Sequence, residues 1–383
     1  MEEEDKKFYM KILIIRTFPD KLDLDSYNVQ EIGLAKALVM RGNQCAVVLY
    51  HGREDDKEEN YSFKENGKEY SFLIYWLKGF AFFKNGFMPS IKAILPQYDV
   101  VQVHEYDQIM SWMIYHRRLK PTVIYHGPYY HAYARGYNLK CKVFDFLFPV
   151  RGKCENIRVL TKSKMAEDFM HKKGFKNVTS VGVGVDTDNF VSKEYRHGRK
   201  QQLLYVGKIE ERRNVYFLTE VYRSVRRKVP DLQLILVGNG EKGYKADFLT
   251  SIQKEMDNGE IIYKEKMQQK ELSEVYENAA VFLFPSNYEI FGMVLLEAMY
   301  FGLPVVSSLN GGASMLVQNE ENGYVIDKFD VNMWSNVIEN ILLDEEKRDR
   351  MGKNARMNVI NNYTWNHLAE KFEKTYRQAI EEF

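Results

Sequence analysis

Two periodicities alternate along this chain and constrain its fold more than any other feature. Short runs rich in Val, Ile and Leu exchange with longer stretches whose apolar residues recur every three or four positions. "KILIIR" reads as a buried strand, "VQEIGLAKALVMRG" as a helix that stops at Arg41-Gly42, and "QCAVVLY" as the next strand. "YDVVQVH", "PTVIYHG", "NIRVLT" and "VTSVGVG" continue the series, and a second series runs through "QQLLYVGK", "LQLILVG", "EIIYK", "AVFLFP" and "LPVVSS". Strands alternating with helices form a parallel sheet covered on both faces. The polar link "SKEYRHGRKQ", residues 192–201, separates the series as a hinge. The expected fold class is therefore α/β, with two doubly wound, Rossmann-like parallel-sheet domains facing a cleft, and 383 residues suffice for two cores.

Charge narrows the partners. With 54 basic and 53 acidic residues the net charge is +1, which gives no global reason to expect nucleic acid. The distribution is uneven: residues 112–174 hold 13 Lys/Arg against 4 Asp/Glu, so the remainder is net acidic. Cys45, Cys141 and Cys154 lie far apart without a C-x-x-C pair, no signal-peptide pattern opens the chain, and no apolar run approaches the roughly 18 residues needed to span a bilayer. These features predict a cytoplasmic chain with free thiols.

"LVGNGEKG" contains Gly238, Gly240 and Gly243 in the dinucleotide spacing G-x-G-x-x-G, with Glu265 further on as a carboxylate for a ribose. In a dinucleotide domain that fingerprint sits on the first strand-to-helix turn. Here it follows the second strand of its series, so it reads as a turn and no nicotinamide cofactor is expected.

The richest stretch is "FPSNYEIFGMVLLEAMYFGLPVV", residues 284–306. A strand ends at Pro285, and a helix is expected from Phe291-Gly292 to Gly302, its first turn offering N–H groups and a positive dipole end to phosphate. Glu289 precedes that helix and Glu297 lies two turns into it, so two carboxylates face one ligand from different heights. "PS-x-x-E-x-FG-x-x-x-x-EA", with "VGVGVDTDNF", "YVGKIEERRN", "LVGNG", "SLNGG" and the final "YTWNHLAEKFEKTYRQAI", resembles the retaining family-4 glycosyltransferases of GT-B fold over nearly the whole length.

The resemblance implies an acceptor-binding domain over 1–191, a nucleotide-sugar domain over 202–364 and a helix, 365–383, that crosses back to the first domain. It implies that Glu289 orients the sugar, Glu297 the ribose, and the loop at Lys266 and Met267 the base. Ile290, Phe291, Gly292, Met293 and Val294 then form the backbone cradle. Aligned on Gly207, Lys208 and Arg213 supply the cations for a departing diphosphate, their order exchanged relative to the family's G-R-L-x-x-x-K-G, with Asn214 in place of the last Gly. His126, at a strand's C-terminal end, lies beside the donor sugar, and His104 is a lesser candidate. Two further departures are Tyr27-Asn28 where the family has Gly-Gly in the first strand-to-helix loop, and Met315 where it often has Glu. Asn28 is retained as a substrate-binding candidate. "DTD", Asp186 to Asp188, is read as a turn, and no metal or other cofactor is expected.

The implied activity moves a sugar from a nucleotide-diphosphate donor, such as a UDP-sugar, to a hydroxyl of a glycan or lipid-linked acceptor with retention, in bacterial cell-surface polysaccharide assembly. The alternatives are a nucleotide-sugar epimerase on the same architecture and a non-catalytic sugar-nucleotide-binding protein. Residues 72–95 interleave aromatics with Lys78, Lys84 and Lys92. They either bury in the first domain or lie peripherally on an anionic membrane.

Overall fold

The computed structural model describes residues 9–20, 22, 24, 29–148, 150, 154, 156–187, 195, 197–267 and 269–383. Among the described residues, ten strands lie in the first half: β1 (Lys11–Ile15), β2 (Gln44–Tyr50), β3 (Lys57–Glu65), β4 (Lys68–Leu77), β5 (Phe80–Phe82), β6 (Asn85–Phe87), β7 (Val100–His104), β8 (Thr122–His126), β9 (Arg158–Thr161) and β10 (Asn177–Ser180). Eight of them form one sheet in the order β10-β9-β8-β7-β1-β2-β4-β3. The second half contributes β11 (Gln202–Val206), β12 (Gln233–Val237), β13 (Ile261–Lys264), β14 (Val281–Phe284), β15 (Val305–Ser307) and β16 (Gly323–Val325), in the order β13-β12-β11-β14-β15-β16.

Every pairing in the second sheet is parallel, and strand order reverses beside β11, the switch point where open α/β sheets bind ligands. The first sheet departs from the expected pattern at one edge. β3 pairs antiparallel with β4. The β3 run "KEENYSFKE" alternates exposed and half-buried residues instead of being apolar throughout, so it lacks the continuous hydrophobic signature of a buried parallel strand.

Successive strand residues point to opposite faces, and this alternation sorts the core into three layers. Ile12 and Ile14 join Leu204 and Val206 in one apolar cluster shared by both domains, whereas Leu13 and Ile15 pack into an outer cluster of the first domain, and Leu203 and Tyr205 into one of the second. The C-terminal helix Trp365–Glu381 reaches the first domain through the shared layer. The Tyr376 hydroxyl donates to Gln102 at 2.5 Å, Phe372 meets Tyr125 edge-on at 5.3 Å, and the Asn43 amide donates to Glu373 at 2.5 Å. A Cβ placed on Gly33 would sit 2.2 Å from the Trp365 indole nitrogen.

The link expected to be a hinge is anchored at its far end. Arg199 donates to the carbonyls of Tyr276, Glu277, Ala279 and Phe301, so the chain is already part of the second domain there. Residues 192–194 and 196 lie outside the described residues. All three cysteines are buried. Among the described residues no helix is long and apolar enough to cross a membrane.

Candidate functional site

The second domain builds its half of the site where β11 and β14 end. β14 stops at Phe284, and the loop behind it is held by Asn214, whose side-chain amide donates to the Pro285 carbonyl at 3.0 Å, and by Arg212, which donates to the Tyr288 carbonyl at 2.6 Å. Asn214 has φ 51° and ψ 42°, a left-handed conformation that Gly adopts freely and Asn better than most other residues. This accounts for Asn where the related motif has Gly.

The helix expected from Phe291 starts slightly later, at Met293, and runs to Tyr300, with Gly292 at φ 78° turning the chain into it. Met293 and Val294 are partly exposed while Leu295 to Tyr300 are buried, so only the first turn reaches the cleft. The "NGG" loop buttresses this turn. The Gly311 amide donates to Glu289 at 3.0 Å, and a Cβ on Gly312 would lie 1.5 Å from the Phe291 carbonyl oxygen.

Arg213 and Glu289 form an ion pair, with Arg212 3.7 Å from the same carboxylate. The Arg213 guanidinium lies 5.2 Å from the centre of the Phe284 ring. Lys208 is exposed. Its loop is tied down by the Tyr205 hydroxyl, which donates to the Lys208 carbonyl at 2.7 Å. Gly207 receives the "LVGNG" turn so closely that a Cβ on Gly238 would fall 1.9 Å from the Gly207 carbonyl oxygen, and one on Gly240 2.0 Å from that of Ile209. The glycine spacing of that turn thus serves backbone-to-backbone packing. Lys266 is exposed, and Met267 packs partly buried against the shared core.

Glu297 sits deeper than its motif suggests. It is 2% exposed and accepts a hydrogen bond from the Tyr276 hydroxyl at 3.1 Å. Burial pushes its carboxyl up to about 8.

The first domain contributes a buried cluster at the ends of β7 and β8. His126 is stacked on Phe169 at 5.4 Å, and its Nδ1 lies 2.5 Å from Glu105 Oε2. Glu105 has φ 59°, accepts from the Gly127 amide at 3.1 Å and faces Lys162 at 3.9 Å. Burial works to raise the Glu105 carboxyl, but attraction and hydrogen bonding to His126, then Lys162 and the Gly127 amide, outweigh it and hold it at about 2. His104 is buried, with its Nδ1 3.3 Å from Glu31 Oε1, and burial lowers it to about 4.

Ligand atoms of Glu105, Asp107 and His126 fall within 4.8 Å of one another, the geometry of a cation site. The charge balance opposes one. Lys162 faces Glu105 and Lys140 pairs with Asp107 at 2.8 Å, so two ammonium groups already meet the carboxylates.

The two halves meet across the cleft. The Tyr129 hydroxyl donates to the Glu289 carbonyl at 3.0 Å, His131 stacks on Tyr288 at 5.2 Å, and a Cβ on Gly127 would lie 2.8 Å from the Ile290 side chain. The structure therefore brings Glu289, Ile290, Phe291, Arg213 and the His126 loop together. Arg212, Glu105, Lys162, Tyr129 and Tyr288 were not singled out from the sequence. The acidic residue beside a strand-end histidine in "HEYD" and the doublet in "ERRN" were the available signals. Asn28, Tyr27 and Asp188 lie outside the described residues, and Asp186 pairs with Lys36 at 3.0 Å.

Residues 72–95 divide between the two readings offered for them. Phe72, Ile74, Tyr75 and Leu77 are buried on β4, whereas Phe80, Phe82 and Phe83 are exposed. Lys78 pairs with Asp55 at 2.7 Å.

Residues 186–358 match the family described as Glycosyl transferases group 1, and residues 32–189 match Glycosyltransferase Family 4. A capsular polysaccharide biosynthesis glycosyltransferase of Staphylococcus aureus, CapM, is 27% identical over 183 residues, covering 46% of this chain and 46% of that protein. The chain's matches span about half or less of the length of its curated relatives. Sucrose-phosphate synthase of Thermosynechococcus elongatus shares the fold at TM-score 0.69 and 19% identity, covering 97% of this chain and 99% of that one. Anabaena HepE, solved in complex with UDP, does so at TM-score 0.68 and 14% identity, covering 96% and 100%. These structures establish the architecture of two facing parallel-sheet domains.

Proposed function

The chain belongs to the glycosyltransferases of group 1 and family 4, and on that premise we propose that it transfers a sugar from a nucleoside-diphosphate donor to a hydroxyl acceptor with retention of anomeric configuration. The observation that carries this reading is the Arg213–Glu289 pair at the strand ends of one domain, on the loop that also carries Lys208, opposite the His126 loop of the other. Donor binding exchanges that pair. The diphosphate draws Arg213 and Lys208, and the released Glu289 carboxylate accepts from the sugar hydroxyls. Negative charge grows on the leaving phosphate as the glycosidic bond breaks, and two fixed cations stabilise it without reorganisation.

Inversion needs a protein base on the face of the sugar away from the leaving group. On this reading Glu289 belongs to the donor side, and Glu297 is buried, 2% exposed. The acceptor, on this reading, attacks from the face the diphosphate leaves, and a phosphate oxygen takes its proton. With two cations in place no metal is required. HepE's complex with UDP supports uridine as the base. CapM, named for capsular polysaccharide biosynthesis, supports a bacterial cell-surface glycan as the product; we further propose that it is built at the cytoplasmic side on a glycan or lipid-linked acceptor.

The test is NMR of the product's anomeric proton, with UDP-sugars as donors and excess chelator present. A product with the donor's configuration is expected. An inverted product, or a rate abolished by chelation and restored by manganese, overturns the assignment.

A further inference from the structure

β3 is an open edge of the first sheet. It stands last in the strand order, beyond β4, and its nine residues exceed the roughly five or six of a typical strand. The two-residue turn Asn66-Gly67, with φ 50° and 76°, joins it to β4, and both positive angles are those of a type I′ hairpin. Such a turn closes with a hydrogen bond between its flanking residues, here Glu65 and Lys68, and along an antiparallel ladder hydrogen-bonded couples alternate with unbonded ones. Lys57, Glu59, Tyr61, Phe63 and Glu65 therefore direct their main-chain groups to β4, opposite Trp76, Ile74, Phe72, Tyr70 and Lys68. The N–H and C=O groups of Glu58, Asn60, Ser62 and Lys64 point outward, and among the described residues no strand takes them up.

The strand is held firmly from behind. Tyr61 stacks on Phe72 at 5.0 Å, Phe63 stacks on Tyr70 at 5.5 Å, and the Lys36 ammonium lies 5.5 Å from the centre of the Phe63 ring. Long edges are commonly guarded by charge, which repels foreign strands. The charges of "KEENYSFKE" have a further property: run against itself about Tyr61, the segment sets Lys57 opposite Glu65, Glu58 opposite Lys64 and Asn60 opposite Ser62. A guard so arranged is complementary to its own copy.

We infer that two copies of this chain pair antiparallel along β3 about a twofold axis at Tyr61, joining their first sheets into one. In a twofold contact the same segment serves on both sides, and two independent constraints fix its register. Outward main-chain groups must meet outward ones, so Glu58 bonds with Lys64 and Asn60 with Ser62, about eight main-chain bonds in all, close to the number a typical protein interface makes. Charge then selects among the registers this allows. Centred on Asn60, the pairing sets Glu65 opposite Asp55, and centred on Ser62 it sets Glu59 opposite Glu65; centred on Tyr61 it brings no like charges together along the strand. The contact leaves the cleft open, because β7, β1, β2 and β4 separate β3 from β8, the strand of His126. Pairing therefore does not rest on the transferase reading.

Sedimentation velocity over a range of protein concentrations tests it. The wild type is expected to sediment at twice the mass of one chain as concentration rises. Glu58→Lys and Lys64→Glu each turn two attractive couples of the dimer into repulsive ones and should weaken self-association by about tenfold or more. Mixed together, the two variants should associate with one another, since opposite charges then meet at both couples, and the double variant Glu58→Lys/Lys64→Glu should recover self-association. Ser62→Pro removes an outward N–H and leaves the β4 ladder intact, a change tolerated on an edge strand, and should yield a monomer. Glu58, Ser62 and Lys64 are all exposed, so melting temperature and donor hydrolysis should stay at wild-type values. A wild type that remains monomeric overturns the inference, as do single charge variants that dimerise like the wild type, a mixture of them that stays monomeric, or a dimer that survives Ser62→Pro.

Discussion

At the residue scale the site holds charged groups with different tolerances. Lys208 is exposed, so Lys208→Ala should lower turnover by about 100- to 1000-fold, the scale for one preorganised charge stabiliser, with an unchanged melting temperature. Arg213→Ala should cost a similar factor in turnover and also destabilise the fold by roughly 1–3 kcal/mol, because the Glu289 carboxylate loses its buried partner. Steady-state kinetics with melting curves check both, and normal rates in both variants would mean that the cations are misassigned. Glu297 contributes a pH dependence in the neutral-to-alkaline range. Its carboxyl titrates at about 8 in the fold, raised by burial, so the folded state binds the proton more tightly than the unfolded chain. Its contribution is fully present below an ordinary carboxylate pKa near 4.3 and is lost as pH rises through about 8. Glu297→Gln, which keeps the acceptor for Tyr276, should match the wild type near pH 5 and exceed it by a few kcal/mol near pH 9. Urea unfolding at the two values decides, and parallel stability curves would contradict a buried neutral carboxyl.

At the scale of elements, the second domain's half of the candidate site is a strand end, a loop and one helical turn whose shape is imposed from behind. Nothing in the loop Glu289–Phe291 is regular, and its position depends on the adjoining "NGG" backbone. Gly312 is decisive: its added Cβ would meet the Phe291 carbonyl at 1.5 Å, a backbone atom with no side-chain freedom to yield. Gly312→Ala is expected to destabilise by about 2–4 kcal/mol and to weaken donor binding, since the cradle must shift. Gly136→Ala, where no atom lies within 4 Å, is the control in the same urea and donor-titration measurements. An unperturbed Gly312→Ala would show that the loop finds its place without this packing.

Across the whole molecule, one apolar layer joins domains that the sequence presents as separate series. The C-terminal helix supplies the join, with Trp365, Phe372 and Tyr376 placed against Gly33, Tyr125 and Gln102. The opposite ends of the sheets close on one another through Tyr129, His131, Tyr288 and Glu289. The Arg213–Glu289 pair thereby comes to lie on one side of the cleft and the buried Glu105–His126 pair on the other.

Much of the fold was legible because the features that encode it are local. Strand runs such as "KILII" and "QLILV" are apolar at every position after the first, which is what a strand buried on both faces requires. The order of these runs was enough to expect two parallel sheets. The site motif was legible for a similar reason: Glu289, Phe291 and Gly292 are neighbours in the chain. The edge hairpin β3–β4 escaped notice because its charged, half-exposed pattern is also that of a loop or surface helix. Pairing was hidden more deeply. That Arg213 meets Glu289, 76 positions away, and that Glu105 holds His126 depend on strand order and loop packing. A one-dimensional pattern records which side of an element is apolar, and only the assembled sheets decide which two sides are brought together.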